Sequence, residues 1–212
     1  MPPVTPTASD ELVRRVASEM INYGYRFNAV SLNALTDYLS GKELFLYGSV
    51  GTGKSLFFKA LSECTDGIDR ARYGAKNLKP YKFAVVSAET AATMSTDALR
   101  DFMLRNASLD LVIDDLGSEA PSMSFGTKYD LIGQILQHHE LIGGKGRLHV
   151  TSNIKDKDIF ERYGERRFDR LQLLTLYDFS SQSMRVQGAP RLFPSTTDSF
   201  RVFGYWQSPT DN

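Results

Sequence analysis

ELFLYGSVGTGKS, residues 43–55, sets a short apolar run directly against a glycine-rich loop that ends in a lysine and a hydroxyl. The loop, Gly48 to Ser55, is a full match to G-x-x-x-x-G-K-[ST], and its flanks are the required ones, a strand-like run before it and a helical pattern after it. Gly48, Gly51 and Gly53 allow positive φ and a close approach of the main chain, so successive N–H groups can point at a polyphosphate. The expected nucleotide contacts are Gly48, Ser49, Val50, Gly51, Thr52, Gly53, Lys54, Ser55 and Leu56. Lys54 would reach the β and γ phosphates as a point charge, Ser55 would be a Mg²⁺ ligand, and the helix start adds a positive dipole end. A glycine-rich turn that merely fits the pattern is the bland alternative.

Outward from the loop, strand-sized apolar runs recur: ELFLY at 43–47, FAVV at 83–86, LDLVID at 109–114, RLHVT at 147–151 and LLTLY at 173–177. All but one pair are separated by enough chain for a crossover helix, the pattern of a parallel sheet covered on both faces. Helices are expected at 54–63, 90–105, 126–141 and 155–163. Upstream, Leu12, Val13, Val16, Met20 and Tyr23 share a helical face behind Ser9 or Asp10 as N-cap, with Gly24 as the stop; a second segment at 31–41 closes on Gly41. The opening MPPVTPTA carries three prolines and no period. The expected division is a tail and helical linker at 1–41, an ATPase domain at 42–190, and a C-terminal tail at 191–212 whose aromatics (Phe193, Phe200, Phe203, Tyr205, Trp206) call for docking on the body.

Three further segments carry chemistry. LVIDD, Leu111 to Asp115, is an apolar strand ending in two carboxylates, with Asp114 suited to hold the metal and Asp115 to polarise the attacking water. VTSN at 150–153 ends another strand; Asn153 could orient water near the γ phosphate, or Ser152 or Asn153 could simply cap the next helix. YGERRFDRL, 163–171, places Arg166, Arg167 and Arg170 within five residues. They suit a γ phosphate on a neighbouring subunit, and equally a solvated face paired with Glu161, Glu165 and Asp169.

Together LYGSVGTGKS, IDDLGSE, the TSN turn, YGERRFDRL and SMRVQG (183–188) resemble an AAA+ ATPase of the DnaC/IstB group, replicative-helicase loaders and transposition helper ATPases, over about residues 30–190. The resemblance implies a P-loop NTPase fold, α/β with a five-stranded parallel sheet of order 5-1-4-3-2 flanked by helices and without an evident C-terminal lid domain. It implies that Asn153 senses the γ phosphate, that Arg170 is an arginine finger acting across a subunit boundary, and that Arg166 or Arg185 is a further basic contact to nucleotide. ATP and Mg²⁺, a homo-oligomer with nucleotide at its interfaces, a replicative DNA helicase and single-stranded DNA are the implied partners. The second acid is Asp115 where many AAA+ enzymes carry Glu.

Composition bounds the rest. The chain has 212 residues, 42% hydrophobic and 24% charged, with 25 Lys plus Arg against 25 Asp plus Glu, which excludes a polyelectrolyte mode of nucleic-acid binding. Charge is nevertheless polarised: residues 70–82 hold five basic residues and two tyrosines without an acid, a single-strand track or a solvated loop, whereas residues 89–120 hold seven acids against two arginines. A lone Cys64 and the lack of a long apolar run lead to the expectation of a cytoplasmic protein with no membrane association. His138, His139 and His149 are assigned to structure or surface. The activity expected is ATP hydrolysis in DnaC-like helicase loading; an IstB-like helper on DNA and a nucleotide-dependent switch with little hydrolysis are the rivals.

Overall fold

A computed structural model describes residues 8–64, 82–119, 123–124, 127–128, 133–136, 139, 146–181, 184 and 201–203. Two helices open the chain, α1 (Asp10–Asn22) and α2 (Ala29–Leu39). Ser9 caps α1 by accepting the Leu12 N–H at 3.3 Å, and Asn28 and Ser31 form a reciprocal capping box on α2. Val13, Val16, Ala17 and Met20 are the buried face of α1. Tyr23, expected on that face, is 41% exposed: it follows the last helical turn, where the chain swings toward Gly24.

The strands are β1 (Leu44–Tyr47), β2 (Phe83–Ser87), β3 (Asp110–Leu116), a two-residue ladder of β4 (Met123–Ser124) with β5 (Thr127–Lys128), then β6 (Leu148–Ser152), β7 (Thr175–Asp178) and β8 (Arg201–Phe203). The main sheet runs β7-β1-β6-β3-β2-β8, which for the five parallel strands in chain order is 5-1-4-3-2. β8 adds an antiparallel edge, Ala84 facing Val202. Helices α3 (Lys54–Ser62), α4 (Ala88–Thr93), α5 (Thr96–Arg105), α6 (Asp156–Tyr163) and α7 (Glu165–Leu171) cover the faces, and residues 133–136 are also helical.

Strand alternation sorts the core into two layers. Leu44, Leu46, Phe83 and Val112 point to the side of α1, α2 and α3, while Phe45, Ala84, Val86, Leu111, Ile113 and Val150 point to the side of α4–α7. Two helix expectations change. The stretch 90–105 is two helices, because Met94 is extended and Ser95 recaps the chain by accepting the Ala98 N–H. The helix expected from 126 cannot start there, since Thr127 and Lys128 pair with β4; within that range 133–136 and 139 are described as helical. Among the described residues no helix is long and apolar enough to cross a membrane.

Candidate active site

Loop 48–53 leaves the end of β1 and closes against Phe179, Ser180 and Met184. Gly48, Gly51 and Gly53 all take positive φ. At Gly53, the N-cap of α3, φ is +93° and a Cβ would lie 2.4 Å from Met184 Cγ, so only glycine fits without displacing that side chain. The Met184 N–H donates to the Gly51 carbonyl at 3.0 Å, fastening the other rim. No side chain caps α3, so its first N–H groups face the loop's concavity, the arrangement that binds anions.

Lys54 is 4% exposed, and its ammonium donates to the carbonyls of Gly48 (2.9 Å) and Ser49 (3.0 Å) and to Asn153 Oδ1 (2.8 Å). Burial lowers its pKa, opposed by the charges of Asp115 and Asp114. Asn153 turns its Nδ2 to Asp115 Oδ1 at 2.9 Å. The amide has one orientation that serves both neighbours, its oxygen to an ammonium and its nitrogen to a carboxylate. Neither Ser152 nor Asn153 caps the next helix: Lys155 is the N-cap of α6, and the Ser152 hydroxyl bonds the Leu116 carbonyl at 2.7 Å.

The second half of the site is the end of β3. Ser55 Oγ donates to Asp114 Oδ1 at 2.7 Å, and Thr151 Oγ1 reaches the same oxygen at 2.6 Å while accepting the Asp115 N–H at 2.9 Å. The β3–β6 register shifts between Ile113 and Leu116, and inside that bulge Asp115 has φ +55°, a left-handed conformation that Asp tolerates better than most residues. Burial, then the neighbouring Asp114 charge, pushes the Asp115 carboxyl up, against the pull of Lys54 and Asn153. The hydroxyl of Ser55 and the carboxylate of Asp114 are hard oxygen donors of the kind Mg²⁺ takes, so the pair fits that ion. The cleft between the two halves, about 270 Å³, is lined by Val50, Gly51, Gly53, Lys54, Ser55, Leu56, Asp115, Asn153 and Met184.

Ser49 and Thr52 shape the loop from within, the Thr52 hydroxyl donating to the Ser49 carbonyl at 2.9 Å. The arginines stand elsewhere. Arg166 is exposed and Arg170 half-buried on α7, one turn apart, and neither lines the cleft. Arg185, His138 and the basic run 70–81 lie outside the described residues. Cys64 is fully buried and its thiol is pushed up to about 12 by burial, leaving it protonated and unreactive. Thr151 was invisible as a site residue in the sequence: only the pairing of β3 with β6 sets its hydroxyl beside both aspartates. Glu119 was part of a motif without a role.

No protein-family model matches the chain, and no curated protein matches it. Among solved structures it is similar to AMPPCP-bound DnaA from Aquifex aeolicus (18% identity, 81% of this chain and 47% of that one, TM-score 0.43). It is also similar to the replication initiator DnaA bound to AMPPCP and single-stranded DNA (18%, 78% and 44%, TM-score 0.44) and to NtrX from Brucella abortus in complex with ATP (14%, 84% and 39%, TM-score 0.40). The chain spans less than half the length of each.

Proposed function

We propose that this chain binds ATP·Mg²⁺ in the cleft at the ends of β1, β3 and β6 and hydrolyses it as an AAA+ ATPase that remodels a DNA-bound machine, in the manner of a DnaC-like helicase loader. The observation that carries the hydrolytic reading is the continuous hydrogen-bonded chain from Lys54 through Asn153 to Asp115, beside the Ser55–Asp114–Thr151 cluster. A phosphate loop alone would only bind. Here the same lysine that meets the polyphosphate is wired to a carboxylate able to take a proton from water.

In this reading loop N–H groups and the start of α3 hold the phosphates, and Lys54 exchanges its carbonyl partners for phosphate oxygens. Ser55 and Asp114 hold Mg²⁺, which when bound neutralises charge on the phosphate oxygens. Asn153 orients a water that attacks the γ phosphorus, and Asp115 accepts its proton as the new O–P bond forms and the P–O bond to the leaving ADP breaks. Arg170 serves the cleft of an adjacent copy, with Arg166 and Arg185 as further contacts to nucleotide. The finer placement in helicase loading, with a replicative helicase, single-stranded DNA and a homo-oligomer as partners, rests on DDLG-x-E followed by YGER-x-x-DRL, a narrower mark than the phosphate loop.

The test is ATP binding, turnover and solution mass across protein concentration, with and without a single-stranded oligonucleotide. Turnover should rise with concentration and with oligonucleotide as a larger species appears. Lys54→Ala should weaken ATP binding at least tenfold, about 1.4 kcal/mol; undiminished binding would overturn the loop assignment. A flat, monomeric, DNA-indifferent rate would favour a nucleotide switch instead.

A further inference from the structure

Downstream of the two aspartates the chain makes a tight turn whose far end is a buried acid with no part in the chemistry above. Glu119 is 7% exposed. One carboxylate oxygen, Oε2, accepts the Gly117 N–H at 2.9 Å, inside the turn that Asp115 begins and that the Ser118 N–H closes on the Asp115 carbonyl at 3.0 Å. The other oxygen, Oε1, accepts from Arg162 Nε at 3.2 Å and from the Tyr163 hydroxyl, and the Arg162 guanidinium also bonds the Glu119 carbonyl. Arg162 and Tyr163 are the last residues of α6; Gly164 follows, and α7 with its arginines starts at Glu165.

A single buried carboxylate thus joins the aspartate turn to the corner from which the arginine helix departs. Both oxygens must accept, because every partner is a donor. A glutamine could serve Arg162 and Tyr163 with its oxygen, but would then present an N–H₂ to the Gly117 N–H, donor against donor. Gly164, at φ +81° and ψ 165°, is the single residue between α6 and α7, and Phe160 of α6 packs edge-on against Phe168 of α7 with ring centroids 5.6 Å apart, so a displacement of the end of α6 is passed to α7 by direct contact.

We propose that Glu119 is a positioning residue that holds the Asp115 turn in its working shape and couples it mechanically to α7, so that the aspartate turn and the arginine helix order and disorder together. This rests on the proposed ATPase for its kinetic consequence and on geometry alone for the coupling. A residue that only stabilised the fold would lower the melting temperature without separating binding from turnover.

The experiment compares the full chain with Glu119→Ala, Glu119→Gln and Tyr163→Phe. Amide hydrogen exchange without nucleotide should quicken at least fivefold in both 115–119 and 165–171 in the Glu119 variants, and in the same two segments, more weakly, in Tyr163→Phe. Quickening confined to one segment overturns the coupling. In ATP hydrolysis, kcat should fall at least tenfold in Glu119→Ala and Glu119→Gln while the dissociation constant for ATP stays within about twofold. Equal loss of binding and turnover, or unchanged kcat in a folded variant, overturns the positioning role. Should the alanine variant fail to fold, Glu119→Gln decides both arms. A parent chain that does not hydrolyse ATP would sink the proposed function, and the exchange arm would still decide the coupling.

Discussion

Asp115 is the one non-glycine residue with positive φ among the described residues, and the left-handed conformation costs it about 1–2 kcal/mol. The Thr151 hydroxyl on its N–H and the Asn153 amide on its carboxylate hold it there. Its pKa is raised, by burial first and Asp114 second. The base form therefore exists fully only above that raised value, and turnover falls as pH drops through it. The acid limb of the kcat/KM profile, which reports the free enzyme, should lie above the ordinary Asp value of about 4. Asp115→Asn should remove turnover and leave ATP affinity within about twofold. A raised carboxyl also means that ionised Asp115 costs stability at neutral pH, so the Asn variant should melt no lower than the parent. An acid limb at or below the ordinary range, or equal loss of binding and turnover, would remove Asp115 as the base. Lys54, Ser55, Asp114 and Asp115 were legible because spacing within one strand and one loop places them. Thr151 and Glu119 were not, because the aspartates beside Thr151 and the Arg162 and Tyr163 that meet Glu119 are 36 or more residues away and depend on neighbouring strands and helices coming together.

At the scale of elements, the opposite end of β3 carries its own polar knot. Asp110 accepts from the Arg147 guanidinium at 2.6 Å, the Arg147 N–H at 2.8 Å and the Tyr38 hydroxyl at 3.0 Å, tying α2 to β3 and β6. Arg147 also donates to the Tyr38 carbonyl at 2.5 Å, and its guanidinium stacks over the Tyr38 ring. His149 is fully buried beside them. Its Nδ1 accepts the Leu44 N–H at 3.1 Å, so its proton sits on Nε2, 3.6 Å from Asp110, and burial keeps the ring neutral. Burial alone would raise the Asp110 carboxyl. The nearby Nε2–H of neutral His149, with the hydrogen bonds and charge of Arg147, outweighs it and holds the group well below the usual range. A depressed carboxyl stabilises the fold fully above its unfolded pKa, about 4, and progressively less as pH falls below that. Asp110→Asn should therefore cost about 2–3 kcal/mol at neutral pH, roughly 5–10 °C in melting temperature, because Arg147 loses its counter-charge. The gap between variant and parent should narrow in thermal melts below about pH 4; a gap independent of pH would mean that the ionised pair is not its source. Apolar runs located the five parallel strands to within about two residues because both faces of the sheet are covered, while β4, β5 and β8 were not among them. The break at Met94 was missed because the apolar period runs on through it, though Ser95-Thr-Asp carries a cap signature.

For the whole molecule, the sheet order decides what each site can reach. β1 and its loop lie between β6, which ends at Ser152 just before Asn153, and the edge strand β7; α6 and α7 form the connection from β6 to that edge. The cleft is thus lined by the loop after β1, the start of α3, Asp115 of β3, Asn153 just past β6 and Met184, while Arg166 and Arg170 ride on the connection and stay off the lining. An arginine so placed would meet phosphates where a second copy brings its cleft to it, which a head-to-tail contact would do. Arg170→Ala subunits then have a sound cleft and a missing finger, and Lys54→Ala subunits the reverse. Each alone should turn over at least a hundredfold more slowly than the parent, within the several orders of magnitude such arginines supply. Mixed in equal amounts, about one interface in four pairs a sound cleft with a sound arginine, so the mixture should recover up to about a quarter of the parent rate. Turnover no greater than the sum of the two variants, with co-assembly verified by mass, would place the action of Arg170 within its own subunit or outside catalysis altogether.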